Sequence, residues 1–351
     1  MPRLKASLLP RATSDINPSV KATPHSEAAR RPRATPQPRG TPDRLEKATQ
    51  ALLSRFHRQR PVRSGSLLIT VLGDSIAPRG GVITLGSLIR LAAPLGLSER
   101  LVRTSVGRLA QDGWLSSNRE GRQSEYFLTD HGRNRFAEAT ARIYREANET
   151  WDQNWTLLLL PPGDGLRALR EELLWLGFGQ VRPGVLAHPS RSVSDTREQL
   201  AELGSKASVI LLSAKSEGME ADRALIDAGW DLAELARSYR RFLDAFAPVR
   251  ESLASRVPPR PETAFVIRTL LIHQYRKIHL RDPLLPHSLL PEDWIGTHAY
   301  ELCRSLYRAV FSAADEFVSA AAETLSGKLE RPTRQTYRRF GGLDESGTST
   351  D

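Results

Sequence analysis

The sequence predicts an α+β chain with an N-terminal winged helix-turn-helix, a central ferredoxin-like βαββαβ domain and a C-terminal, mainly helical domain. Three observations carry that expectation. A helix, a tight turn, a second helix and a hairpin follow one another between Leu85 and Leu128. Short apolar runs alternate with helical spacing between Trp155 and Leu212, and long stripes of 3.6-residue period dominate from Asp231 onward. The domains are expected at 61–150, 151–225 and 226–338, after a disordered basic arm over 1–60 and before a loose tail over 339–351.

The arm is rich in proline, serine and threonine and sustains no apolar period before about Leu45. The first 63 residues hold 14 of the 50 Lys and Arg and 4 of the 40 Asp and Glu, and the remaining 288 hold 36 of each. The net charge of +10 therefore belongs to this segment. Two readings stay open: a flexible arm adding salt-sensitive DNA affinity, or a misassigned start. Within it, Asp43 to Arg60 is readable as a helix with Leu45, Leu52, Leu53 and Phe56 on its apolar side.

The first domain begins with an apolar run, Ser66 to Leu72, broken by the glycines and proline of GDSIAPRGG at 73–81. Leu85 to Ala93 has the spacing of an apolar helix, and Pro94 to Leu97 a turn. Ser98 has N-cap chemistry for a second helix that runs to about Gln111, with Gly113 as its stop. Trp114–Ser117 and Glu125–Leu128 read as strands around a polar tip, Asn118 to Gln123, and Gly132 to Glu149 as a helix leaving the hairpin.

At 100° per residue the second helix places Leu101, Val102, Ser105, Val106 and Leu109 on one face. Arg100, Arg103, Thr104, Gly107 and Gln111 fall on the other, with Arg108 at the margin. Such a face fits a DNA major groove: arginine grips guanine bidentately, threonine and glutamine reach base edges, and glycine permits close approach. Arg119 and Arg122 at the hairpin tip suit phosphates or a minor groove. The expected DNA contacts are Arg100, Arg103, Thr104, Arg108, Arg119 and Arg122.

The second domain reads as a strand at Trp155–Leu160, a helix at Leu166–Leu176, a hairpin from Phe178 to Ala187 around Pro183 and Gly184, a helix at Thr196–Leu203 and a strand at Ala207–Leu212. The third has helical stripes from Asp231, from Thr263 to Leu280 and from Thr297 to about Leu325. Prolines 283, 286 and 291 make the connection between the last two stiff.

Composition narrows the function. No apolar run reaches the ~20 residues of a membrane helix, and no apolar core of signal-peptide length opens the sequence, so a cytoplasmic protein without a membrane partner is expected. The single cysteine, Cys303, rules out an internal disulfide and a thiolate metal cage. His273 and His279 are six residues apart and share no helix face, while His287 and His298 add no regular spacing, so no metal site is expected. No nucleophile–base set, phosphate loop or carboxylate pair stands out, so neither catalysis nor a cofactor is expected.

Three stretches resemble the PaaX family, bacterial repressors of phenylacetic acid degradation operons: GDSIAPRGG at 73–81, LVRTSVGRL at 101–109 with Gly113 and Trp114, and HQYRKIHLRDP at 273–283 with LLPEDW at 289–294. The resemblance spans roughly Ser64 to Phe317 and does not reach the basic arm. It implies the three-domain layout above and a homodimer that holds promoter DNA until an aryl-CoA thioester, typically phenylacetyl-CoA, releases it. The middle domain also resembles that of a CRISPR-associated nuclease subunit, which needs an aspartate ending its first strand. Leu160 and Pro161 stand there instead, so nuclease activity is not expected.

An effector of that class needs cations for its phosphates and an apolar slot for its acyl group. Tyr275, Arg276, Lys277, Arg281 and Trp294 form the expected cluster. Arg281 with Asp282 as a helix-end cap, and the aromatics as core, is the competing reading. A regulator without an effector, whose C-terminal half only mediates assembly, is the alternative function.

Overall fold

The computed structural model describes residues 43–58, 64–145, 151–163, 166–203, 208–254 and 258–343. All belong to one compact unit, Pro42–Asp351. The basic arm before residue 43 lies outside the described residues. The chain is α+β with antiparallel sheets.

One boundary is corrected at once. Helix α1 (Arg44–Arg58) is not part of a disordered arm. Leu45, Leu52 and Phe56, spaced for one helical face, are buried, and the helix packs against the C-terminal helices.

Helix α2 (Ser64–Val71) runs into a π-helical turn, Leu72–Ile76, and a 3-10 turn, Ala77–Arg79. Gly80 (φ 89°) and Gly81 (φ 75°) then reverse the chain in conformations that disfavour a side chain. They deliver strand β1 (Val82–Thr84), which the sequence reading missed. Helix α3 (Leu85–Ala92) follows with Thr84 as N-cap, then helix α4 (Glu99–Gln111) with Ser98 as N-cap. Strands β2 (Leu115–Glu120) and β3 (Gln123–Leu128) form the hairpin, and helix α5 (Asp130–Ile143) leaves it, capped by Thr129. The strand order is β1-β3-β2. The hairpin pairs through to Glu120 and Gln123, so the tip is a two-residue turn with Gly121 at φ 58°, shorter than the expected polar loop.

The second sheet holds strands β4 (Trp155–Leu159), β5 (Gly179–Arg182), β6 (Val185–His188) and β7 (Ile210–Ala214), ordered β5-β6-β4-β7. Helices α6 (Arg167–Trp175) and α7 (Val193–Glu202) connect them. Leu158, Leu173, Phe178 and Leu186 form the core of one face. Trp155, Val181 and Ala187 form the other, closed by Ile226 of helix α8 (Met219–Gly229) and by Leu285 and Leu289.

Three long helices complete the chain: α9 (Leu232–Leu253), α10 (Pro261–His279) and α11 (Ile295–Ala321). α10 is buried around most of its circumference, as a helix apolar on all sides must be, and packs on α1, α2, α5, α9 and α11. A two-strand ribbon follows, β8 (Glu323–Thr324) with β9 (Gly327–Lys328).

The GDSIAPRGG stretch ties the N-terminal module to this bundle. The buried Asp74 carboxylate accepts hydrogen bonds from Tyr144 (2.5 Å), Tyr307 (2.9 Å) and Arg339 (3.0 Å) and ion-pairs with Arg268 at 3.1 Å. Arg79 ion-pairs with Asp315 and donates to the Glu330 carbonyl at 2.8 Å. The expectation of a loose tail from residue 339 is therefore corrected as far as Leu343. Arg339 and Phe340 are buried, and Phe340 sits edge-on to Tyr144 with ring centroids 5.1 Å apart. Residues 344–351 lie outside the described ones.

Candidate DNA-binding surface and the expected effector residues

Helix α4 is held from behind. Val102, Val106 and Leu109 are buried against α2 and α3, worth about 1.5–3 kcal/mol each. Ser98 Oγ accepts the Leu101 amide, and Ser105 Oγ meets Ser64 Oγ at 2.9 Å. This leaves Arg100, Arg103, Thr104, Gly107, Arg108 and Gln111 exposed along one side. Leu101 departs from its expected place on the inner face. It is 42% exposed, among the arginines, and offers an apolar contact of the kind a thymine methyl takes.

Two members of the face carry local bonds. Arg103 is paired with Glu99 of the same helix at 2.7 Å, an exposed i,i+4 bridge worth about 0–1 kcal/mol and so readily exchanged. Thr104 Oγ1 donates to the Arg100 carbonyl at 2.9 Å. Gly107 is unusual. A Cβ built there meets no protein atom within 4 Å, so nothing in the fold requires glycine mid-helix. At the hairpin tip Arg119 and Arg122 are exposed, with Arg119 Nε 3.3 Å from the Gly121 carbonyl.

The hairpin and α4 are coupled through Trp114. Gly113 (φ 74°) ends the helix, Trp114 packs on Phe136 of α5, and a Cβ on Gly132 would lie 2.5 Å from the Trp114 carbonyl. α5 is thereby fixed to the base of the hairpin.

The five expected effector residues do not converge on one surface. Tyr275 is fully buried, stacked on His279 with centroids 4.7 Å apart, and burial pushes its phenol well above its ordinary pKa. Trp294 is buried beside Tyr239. Both are core. The cations divide because α10 lies between them. Arg276 faces α2, donating to Ser66 O (2.7 Å), Ser66 Oγ (2.9 Å) and Thr70 Oγ1 (2.9 Å). Lys277 and Arg281 line a groove on the opposite side, with Arg55 and Arg241. Asp282, the neighbour of Arg281, accepts Tyr239 Oη at 2.6 Å and the Leu284 amide at 2.8 Å, fixing the turn after α10.

Comparison with known proteins places this geometry. Residues 63–132 match the family described as PaaX-like protein, 148–226 the PaaX protein central Cas2-like domain, and 230–320 the PaaX-like protein C-terminal domain. The chain is 40% identical over 290 residues to the transcriptional repressor PaaX of Escherichia coli (strain K12), covering 81% of this chain and 92% of that protein. The chain belongs to the PaaX family. That family is one of transcriptional repressors, not of enzymes. The solved structure of uncharacterized protein Rv0674 from Mycobacterium tuberculosis is also similar, at 25% identity and a TM-score of 0.44, over 66% of this chain and 89% of that one.

The first PaaX segment, 63–132, contains all six expected DNA contacts. Among the described residues no group of three or more His, Cys, Asp or Glu is placed to hold a metal, and no helix is long and apolar enough to cross a membrane. Sequence reasoning missed a set of side chains where α5, α6 and α10 meet. Arg135 and Arg142 of α5 sit over the Trp175 ring at 4.9 and 5.3 Å. Residues 135, 142 and 175 share no sequence motif, so no local signal marked them.

Proposed function

We propose that this PaaX-family chain is a cytoplasmic, homodimeric repressor of an aromatic-acid, phenylacetate-type catabolic operon. It binds double-stranded promoter DNA through α4 and the β2–β3 hairpin, and an aryl-CoA thioester such as phenylacetyl-CoA releases it. α3, α4 and the hairpin act as a winged helix-turn-helix, and the four-stranded sheet acts as a ferredoxin-like assembly domain. The observation that carries the reading is the exposed side of α4, where Arg100, Arg103, Thr104 and Arg108 flank a glycine the fold does not need. The named repressor that is 40% identical supports it.

Mechanistically, two copies of α4 read two half-sites whose separation the dimer sets. Arginine forks read base edges while Arg119 and Arg122 grip the backbone. An effector that favours a domain arrangement with the wrong separation lowers affinity, and a coupling of ~1–3 kcal/mol makes a useful switch. A footprint on the chain's own promoter, with and without phenylacetyl-CoA, tests this. Protection of two half-sites that disappears on adding the thioester is expected. Protection unchanged by any acyl-CoA refutes release by effector, and no protection refutes the DNA reading.

A further inference from the structure

Beneath the hairpin lies a cavity of about 270 Å³ with a mostly apolar wall. It is a cleft open to solvent on one side, so a guest can reach its apolar wall. Its volume exceeds the ~150 Å³ that suffices for a benzene ring. Its aromatic walls are Trp114 from the base of the hairpin, Phe136 from α5 and Trp175 from the end of α6. Ala139, Ile272 and Leu280 supply aliphatic surface.

The polar part of the wall holds two arginines, Arg135 and Arg276, beside the hydroxyls of Thr70, Thr140 and Tyr144 and the Asp74 carboxylate, which is already engaged by Arg268 and Arg339. Arg276 reaches the wall from α10, its hydrogen bonds running to the neutral oxygens of Ser66 and Thr70. None of the ion pairs among the described residues includes it. Burial brings its pKa down to about 10, so it is still charged at neutral pH. A half-buried guanidinium with only neutral partners favours an incoming carboxylate or carbonyl oxygen. Arg135, at the same wall, is already paired with Glu172 at 2.7 Å.

The position bears on DNA binding. α5 supplies Arg135, Phe136, Ala139, Thr140 and Ile143 and starts directly after strand β3 of the hairpin. The π-helical turn packs directly against that wall: a Cβ on Gly73 would lie 2.7 Å from the Phe136 ring. Such turns recur at functional sites. A guest here touches α5, α6 and α10 together.

We propose that this cavity is a small-molecule site for an aryl-acyl group: the ring packs among Trp114, Phe136 and Trp175, the carbonyl or carboxylate faces Arg276, and occupancy sets where α5 holds the hairpin. The proposal rests on the ligand-responsive reading above and locates its sensor away from the groove of Lys277 and Arg281.

The test is titration calorimetry on the full chain with phenylacetate, phenylacetyl-CoA and coenzyme A, using wild type, Ala139→Leu and Ala139→Phe, each checked for operator affinity. Filling the cavity is expected to weaken the acid or the thioester at least tenfold in Ala139→Phe, with Ala139→Leu between, and to shift operator affinity in the direction that ligand shifts it in wild type, while the unfolding midpoint shows that the fold is kept. Coenzyme A alone is expected to bind at least tenfold more weakly than its thioester, and the acid arm tells whether the free acid suffices. Wild-type binding that both variants retain overturns the cavity and leaves the ligand-responsive reading intact, as does coenzyme A binding as tightly as the thioester. Wild type that binds operator but neither acid nor thioester sinks both.

Discussion

Arg339 donates to the Asp74 carboxylate at 3.0 Å, joining positions 265 residues apart across the core. Asp74 also pairs with Arg268, so one buried carboxylate faces two buried guanidinium groups. Removing a partner from a buried ion pair costs about 3–5 kcal/mol, because the remaining charge is left without compensation. Asp74→Ala strands two arginines and is expected to cost at least that much in denaturant unfolding. Arg339→Met leaves Asp74 paired with Arg268 and is expected to cost less. Equal losses in the two variants would show that the clasp is not centred on Asp74.

Buried histidines make stability depend on pH: burial lowers the pKa of His188, His273 and His279, and the first two shift furthest. His188 Nδ1 accepts the Ser190 and Arg191 amides, both at 3.0 Å, which requires an unprotonated nitrogen. Burial, with Arg191 and Arg142 nearby, lowers its pKa to about 3. Burial, with Arg276 and Lys277 nearby, does the same for His273. The unfolded chain takes up these protons below about pH 6.5, and the fold does not until about 3. Stability is therefore complete above about pH 6.5 and declines as pH falls, by about 2 kcal/mol per histidine at pH 5. Unfolding curves at pH 7 and 5 check this. His188→Asn, which keeps an acceptor without the titration, is expected to flatten part of the dependence, and a flat wild-type profile would contradict it.

Gly107→Ala separates folding from recognition. With open space around the added methyl, helix propensity alone acts, and the variant is expected to gain about 0.5–1 kcal/mol of stability. If α4 lies close against DNA at this point, operator affinity falls in the same protein. Greater stability with unchanged affinity would remove Gly107 from the interface.

Much of this was legible from periodicity. α4, its cap at Ser98 and its stop at Gly113 emerge within a residue or two of their expected places, because an amphipathic helix with a capping serine is a local signal. Strand β4 and the stripes of α9 and α11 were readable for the same reason. What escaped depends on distant partners. Residues 339–343 have the composition of a loose tail, and their burial follows from Asp74. The cluster from Tyr275 to Arg281 looked convergent because it is contiguous, yet a helix turns neighbours outward in different directions. β1 and the β8–β9 ribbon, three and two residues per strand, are too short for a period. Leu101 sits where a helical wheel places core, yet 42% of it stays exposed.

The hairpin tip predicts a salt effect. If Arg119 and Arg122 hold phosphates, as the proposed docking has them, Arg119→Ala and Arg122→Ala each remove a grip on the DNA backbone. Affinity is expected to fall alike for operator and unrelated DNA, with the slope of log K against log salt reduced by about 1 per arginine. A drop confined to the operator would instead assign these arginines to base reading.

The central claim is that arginines of α4 read bases, and the most direct measurement is the ratio of operator to non-operator affinity, at fixed salt, for Arg100→Ala/Arg103→Ala. Both side chains are exposed, so the fold is expected to survive. The account predicts that the ratio collapses by about 1–3 kcal/mol for each of the two arginines that grips a base. A folded double variant that keeps the wild-type ratio would contradict it.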